Sequence, residues 1–549
     1  MLPGSSVPPF GREDPPNTQK VRNAANSTNE STTEKEAWTL WEGLGALLAL
    51  VVGFHFLALR VHAGGLPGGD EGSWLSVAAE LARGNGFTTR WLEAHFLTPY
   101  TLPRPDDFRY PALTSLLAAV FQFTGFSIEA ARWTVATVFL IFASSTYLLC
   151  RSAFGRWTAM TALWLTCLSL LQLQWNSIVY TEGLFGLAVT GVAAWCLRGE
   201  RTLNQIHRIG FQSKAWWFLL GAMVGCVYLV RANGILFLIG IPILFWRRKQ
   251  YGIGWKHPSF ACAGFLFIAS PWLIHMAEHF GNPMHVAGNA GMLRTAGESH
   301  TFSITQFIVK HGFFFPLERI TWGTFHFFRD LHFFEHGLEA APIVLVLLSC
   351  FRRRSFISPF LTGGFLITFF ACVYTAYDSW AGVRYMSGLL PLVYAYGLSS
   401  LRHLWGSGKS ATWLSWVLAL LLLLPVLMPH RFYERKYANP GMSSSGLADH
   451  LYRLKKFVPT GESYYAASLC KVNFMVTERY CIGLQELYDP TWFSRSIDAF
   501  HPQIVMLTRE ETKDSVLCAA LTKMRIEGYR QDTLEVTPLA VYFSLRTTP

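Results

Sequence analysis

Apolar runs of nearly membrane-spanning length follow one another along this chain, separated by short polar or basic turns. A helix crossing a hydrocarbon core about 30 Å thick needs about 20 residues, and shorter cores suffice where flanking side chains reach the interface. The pattern predicts an α-helical polytopic membrane protein of about 11 transmembrane helices. Their cores are residues 43–59, 131–150, 157–173, 183–197, 216–230, 234–246, 259–276, 338–351, 356–374, 383–401 and 412–428. One further apolar run, 110–126, reads either as a crossing or as a helix lying at the surface.

The basic residues choose between these readings. With a cytoplasmic N-terminus and no crossing at 110–126, the short cytoplasmic loops hold Arg151 and Arg156, the clusters from Arg198 to Lys214 and from Arg247 to Lys256, Arg352 to Arg354, and Arg402 with Lys409. The short outer loops hold only Arg231 and Arg384. This asymmetry is the positive-inside bias, and a crossing at 110–126 would invert it. The run is therefore expected to lie in the outer interface or to re-enter from it.

Three polar stretches then fall on the outer face: 62–109, 277–337 and 431–549. The last alternates helical and strand patterns, with a helix at 446–457 and strands at 503–508 and 539–545 flanking a helical stretch at 511–525, which predicts a small extracytoplasmic α/β domain. That location would permit a Cys470–Cys481 disulfide, whereas most of the other cysteines lie in apolar runs where packing accounts for them. Residues 1–36 are rich in Pro, Ser, Thr, Asn and Glu and read as a disordered cytoplasmic tail, so the sequons at Asn26 and Asn29 carry little weight. The expected organisation is a tail at 1–36, a transmembrane domain at 37–430 and an extracytoplasmic domain at 431–549.

Composition agrees. Hydrophobic residues make up 51% of the chain and charged residues 15%, against about a quarter charged in soluble domains. The net charge of +11 is spent in the topogenic clusters, which excludes a nucleic-acid patch. No Cys/His spacing resembles a zinc site; no cofactor is expected, and a divalent-metal requirement is left open.

Candidate chemistry begins at Gly68-Gly69-Asp70-Glu71-Gly72-Ser73-Trp74, at the start of a helix expected to end at Gly84. Asp70 suits the N-cap of that helix, a structural role compatible with a catalytic one. From here the sequence resembles the GT-C membrane glycosyltransferases of the protein O-mannosyltransferase and aminoarabinose transferase-like superfamily. The likeness is carried by the Asp70-Glu71 pair after the first span, Gly84-Asn85-Gly86-Phe87, Tyr110-Pro111-Ala112-Leu113, Ala130-Ala131-Arg132, Phe154-Gly155-Arg156, Tyr180-Thr181-Glu182, Arg231-Ala232-Asn233-Gly234 and Arg384-Tyr385. It spans roughly residues 37–430. Trp74 stands where the family often has Tyr, Ala112 where it has a second Pro, and Ala232-Asn233 where it has Pro-Glu.

The resemblance implies transfer of a sugar from a polyprenyl-phosphate donor to a lipid, glycan or protein acceptor, on the outer face of a bacterial-type inner membrane. The acceptor hydroxyl must lose a proton as it attacks the anomeric carbon, so a carboxylate base is needed; a single attack inverts that centre. Asp70 takes this role, with Glu71 tuning it or orienting the acceptor and Glu182 as a further acid of the site. The leaving lipid phosphate suits guanidinium groups, assigned to Arg231 and Arg384 with Tyr385 beside them. Trp74 and Tyr110 are assigned to positioning acceptor or donor. A transporter and a non-catalytic envelope scaffold are the rival readings. The confident charges sit at span ends and no repeat is evident, which weighs against transport.

Overall fold

The computed structural model describes residues 39–63, 69–92, 102–202, 213–242, 254–283, 304–335, 340–351, 359–377 and 381–405, and beyond these 413, 417, 456–457, 464–467, 480–483, 500, 502–508, 529–536 and 540–547. The expected tail, most of the span at 412–428, most of the helix at 446–457 and all of the helical stretch at 511–525 lie outside them. The chain divides into two compact units, residues 1–47 and 48–549. In the first unit the helix α1 (Leu40–Ala63) begins, and its N-terminus is held by the Thr39 hydroxyl, which accepts the Glu42 N–H at 3.2 Å.

The second unit continues through α2 (Gly69–Ala82), the short strands β1 (Thr88–Thr89), β2 (Trp91–Leu92) and β3 (Arg104–Pro105), and α3 (Pro111–Thr124). The turn after α2 is closed by Gly84 at φ 84°, with the Asn85 N–H reaching back to the Glu80 carbonyl at 3.0 Å. Helix α3 starts on Pro111 and stops at Gly125, φ 70°. Its 14 residues reach about 21 Å, short of a hydrocarbon core. Leu113, Leu117 and Phe121 pack on Trp74, Leu75 and Ala78 of α2.

The helices that follow are α4 (Ile128–Phe154), α5 (Arg156–Leu168), α6 (Leu170–Asn176), α7 (Glu182–Thr202), α8 (Lys214–Val230), a 3-10 helix (Ala232–Ile239) and α9 (Lys256–Phe280). Among the described residues Leu40–His62, Ile128–Phe154 and Lys256–Phe280 are long and apolar enough to cross a membrane. The run predicted as one span at 157–173 is broken at Ser169, which leaves the helical region and caps α6 by accepting the Gln172 N–H. Helices α8 and α9 touch backbone to backbone. A β-carbon on Gly221 would strike the Ala261 carbonyl, and one on Gly264 the Phe218 carbonyl.

Next come α10 (Ile304–His311), α11 (Phe315–Glu335), α12 (Ala340–Phe351), α13 (Pro359–Ala376), α14 (Ala381–Ser387) and α15 (Leu390–Trp405). The expected outer loop at 277–337 thus contains two helices. Polar residues conceal α11 from a hydropathy count, yet Gly323 fits against the Val373 carbonyl of α13, and Arg319 lies buried with its guanidinium 4.3 Å from the Tyr374 ring. The span predicted at 383–401 is broken between α14 and α15, where Gly388 approaches the Glu182 carbonyl and the Phe185 ring too closely for a side chain.

The C-terminal segment forms a mixed sheet in the order β2-β5-β4-β6-β8-β7, with β4 (Tyr464–Ala467), β5 (Tyr480–Gly483), β6 (Ile504–Thr508), β7 (Tyr529–Val536) and β8 (Ala540–Thr547). Strands β6 and β8 coincide with the two expected from alternation. Strand β2 comes from the segment after α2 and runs parallel to β5, pairing Trp91 with Cys481. Cys481 is disulfide-bonded; Cys470, the partner that an extracytoplasmic location would permit, lies outside the described residues.

A sheet shared by residues 91–92 and 480–483 puts both segments on one side of any membrane, so the intervening chain crosses an even number of times. Reporter fusions after Asp70 and after residue 440 should therefore agree with each other, and the charge bias adds that they should oppose fusions after Arg156 and Lys249. Disagreement between the first two would refute the parity.

Candidate active site

The first turn of α2 opens on Gly69, which places Asp70 inside the helix rather than at its cap. There its charge is favoured by the exposed N–H groups of the helix end. Its carboxylate spans two arginines. Oδ1 accepts from Arg109 Nη2 and Oδ2 from Arg384 Nη1, each at 3.0 Å. Arg109 belongs to the loop before α3, and Arg384 to α14. Both side chains are buried, 6% and 9% exposed, whereas Asp70 is 32% exposed. The acid at the centre is thus the member of the trio that solvent reaches.

Arg384 also faces Glu182 at the start of α7, with Nε 3.3 Å from Oε1. The same Oε1 lies 3.4 Å from Nη2 of Arg231, which terminates α8 in an extended conformation. Glu182 is fully buried. Both of its oxygens, and Nη1 of Arg231, lack a hydrogen bond within the described structure. Aromatic faces complete the enclosure. The Tyr385 ring lies 4.0 Å from the Arg231 guanidinium, and the Tyr180 ring 4.8 Å from that of Arg384. In this chain of contacts three guanidinium groups meet two carboxylates, a surplus of positive charge in a water-poor place.

Five of the residues singled out by sequence, Asp70, Glu182, Arg231, Arg384 and Tyr385, are therefore brought together. The other three are placed differently. Glu71 points into the protein, where Arg132 donates Nε and Nη2 to its two oxygens at 2.8 and 2.9 Å and the Val179 N–H adds a third bond at 3.1 Å. Trp74 is a core residue whose ring lies 5.1 Å from the Arg109 guanidinium. Tyr110 packs its ring on Tyr228 and Trp272, at 5.3 and 5.7 Å, with its hydroxyl buried.

Sequence reasoning missed Arg109. It stands next to Tyr110-Pro111, and nothing in its local spacing distinguishes it from an ordinary loop arginine. Asp106, three residues earlier, holds the Arg109 N–H at 2.7 Å. Burial first, and then repulsion from Asp107, push the Asp106 carboxyl up to about 6.

Two outcomes follow. Arg132→Leu leaves Glu71 charged and buried without its partner, so thermal unfolding in detergent should show a loss of about 3–5 kcal/mol. For Asp106, a folded-state value above the ordinary 3.8 means that the native state holds the proton more tightly. Its stabilising contribution is full below about pH 4 and is lost as pH rises through about 6. Asp106→Asn should flatten this fall in melting temperature, and an unchanged pH profile would exclude the assignment.

Comparison with known proteins bears on the fold. Residues 108–275 match the family of dolichyl-phosphate-mannose-protein mannosyltransferases. No curated protein sequence matches the chain. Among solved structures, the chain is similar to ArnT from Cupriavidus metallidurans bound to undecaprenyl phosphate, with a TM-score of 0.53 and 15% identity over 92% of this chain and 98% of that one. It is also similar to the oligosaccharyltransferase AglB from Archaeoglobus fulgidus in complex with an inhibitory peptide and a dolichol-phosphate, with a TM-score of 0.58 and 14% identity over 93% of this chain and 74% of that one. The polypeptide has the GT-C glycosyltransferase fold.

Proposed function

We propose that this chain is a glycosyltransferase that moves a sugar from a polyprenyl-phosphate donor to a hydroxyl of a lipid, glycan or protein acceptor on the outer face of a bacterial-type inner membrane. The observation that carries this reading is a half-exposed carboxylate, Asp70, held between two buried arginines, one of them linked through Glu182 to a third. The arrangement offers a proton acceptor beside a concentration of guanidinium groups. The two similar structures hold undecaprenyl phosphate and dolichol-phosphate, and a phosphate of that class suits the cationic surplus here.

In this mechanism Asp70 takes the proton of the acceptor hydroxyl as its oxygen attacks the anomeric carbon. The bond from that carbon to the phosphate oxygen breaks, and the electron pair leaves with the lipid phosphate. Arg231 and Arg384 stabilise the charge that grows on the departing oxygen, and the attack inverts the anomeric centre. Arg109 keeps Asp70 aimed while Arg384 turns to the phosphate. Glu182 lies against both phosphate-facing arginines and so sets their spacing, and Tyr385 supports their planes. Glu71 fixes α2 through Arg132, a positioning role.

The test is release of sugar by the purified protein from a panel of polyprenyl-phosphate sugars, dolichyl-phosphate mannose among them. Asp70→Asn should lower turnover by about 100-fold or more. Arg384→Lys and Arg231→Lys, which keep charge but lose the planar fork, should each lower it by about 10-fold or more. Normal turnover in Asp70→Asn removes it as the base, and normal turnover in both lysine variants leaves the arginines as charge partners of Glu182 with no role in transfer.

A further inference from the structure

Helix α2 carries Asp70 at one end and Glu80 at the other, about 15 Å apart at 1.5 Å per residue. Glu80 is fully buried and heavily engaged: Arg83 Nη1 lies at 2.7 Å and Arg90 Nε at 2.8 Å from Oε1, while Asn85 Nδ2 donates to Oε2 at 2.8 Å. Arg83 and Asn85 are local, belonging to the turn that ends the helix. Arg90 is not, because its backbone is joined to the C-terminal sheet. Its carbonyl accepts the Cys481 N–H at 2.9 Å, and its guanidinium lies 5.5 Å from the Tyr480 ring. The next residue, Trp91, is buried and opens the parallel pairing with β5. A second tie runs beside it, where Ser76 Oγ of α2 meets Thr89 Oγ1 at 3.3 Å.

We propose that Arg90 is a positioning residue that couples the C-terminal sheet to the helix bearing Asp70, so that the sheet acts on the transfer step itself. An ion pair to a buried carboxylate is costly to leave unmade. Backbone pairing to β5 fixes where the Arg90 main chain lies, and the cation–π contact with Tyr480 fixes the plane of its guanidinium. The two together set the tilt of α2 at Glu80. A rigid helix carries that tilt to Asp70, where a displacement near 1 Å spoils attack geometry. The C-terminal segment is then part of the apparatus that aims the base, in addition to any contact it makes with acceptor.

The inference rests on the proposed role of Asp70, but its first measurement does not. In Arg90→Gln and in Tyr480→Leu, which spares the backbone pairing, amide exchange across residues 71–82 of the full-length protein should speed up by about tenfold or more. Binding of undecaprenyl phosphate, the probe for the Arg231 and Arg384 end, should change by less than about threefold. With whichever sugar donor turns over, kcat should fall by about tenfold with KM little changed, and Arg90→Lys should recover most of the loss. Unchanged exchange across 71–82 in both variants overturns the coupling. Faster exchange with normal kcat overturns its catalytic consequence. If the wild-type protein turns over no donor in the panel, the transferase reading fails while the exchange result still decides whether the coupling exists.

Discussion

Arg384 is shared between Asp70 and Glu182, and much of the architecture follows from keeping that arginine satisfied away from water. A buried guanidinium needs carboxylate partners, and each carboxylate taken out of water needs cations in turn. Arg109, Asp70, Arg384, Glu182 and Arg231 answer this requirement collectively. They arrive from the loop before α3 and from α2, α14, α7 and the end of α8. No local stretch could supply the set, so the network fixes how these elements converge.

The breaks in the helices make sense on the same grounds. Arg231 sits where α8 gives way to a 3-10 helix, and Arg384 sits in a short helix that stops before α15. A helix interrupted in a buried place frees backbone groups that must find partners. Gln172 supplies one by donating its side-chain N–H to the Ser387 carbonyl, and Asn176 bonds back to the Gln172 carbonyl. Below the network, Glu71 and Arg132 form a second buried pair that joins α2 to α4. Two adjacent acids thus have opposite surroundings, because successive residues on a helix point about 100° apart.

The sequence carried a good part of this. Gly84, with its positive φ, ends a helix where the pattern said one ends. Strands β6 and β8 were legible from alternation. Of the network, Asp70, Glu182, Arg231 and Arg384 stood out as charges bordering apolar runs, which does not depend on knowing which residue meets which, whereas Arg109 looked like any loop arginine. Helix α11 was not legible, since its contacts run through Gly323 and a buried arginine rather than a continuous apolar stripe. Nor was the break at Gly388, which exists because α7 passes too close for a side chain.

What the sequence determined by itself was local and compositional: a chain built for lipid, the approximate positions of its apolar helices, and a short list of charged residues too costly to place there without purpose. What the tertiary structure decided was pairing. It gave Asp70 two arginines from distant segments and took Glu71 out of the group. It recruited Arg109 and set Arg90 between Glu80 and a strand nearly four hundred residues away. Hydrophobic periodicity is a property of neighbours along the chain and can be read there. An ion pair is a property of neighbours in space, fixed only when close helix crossings at Gly221, Gly264 and Gly388 determine which ends meet.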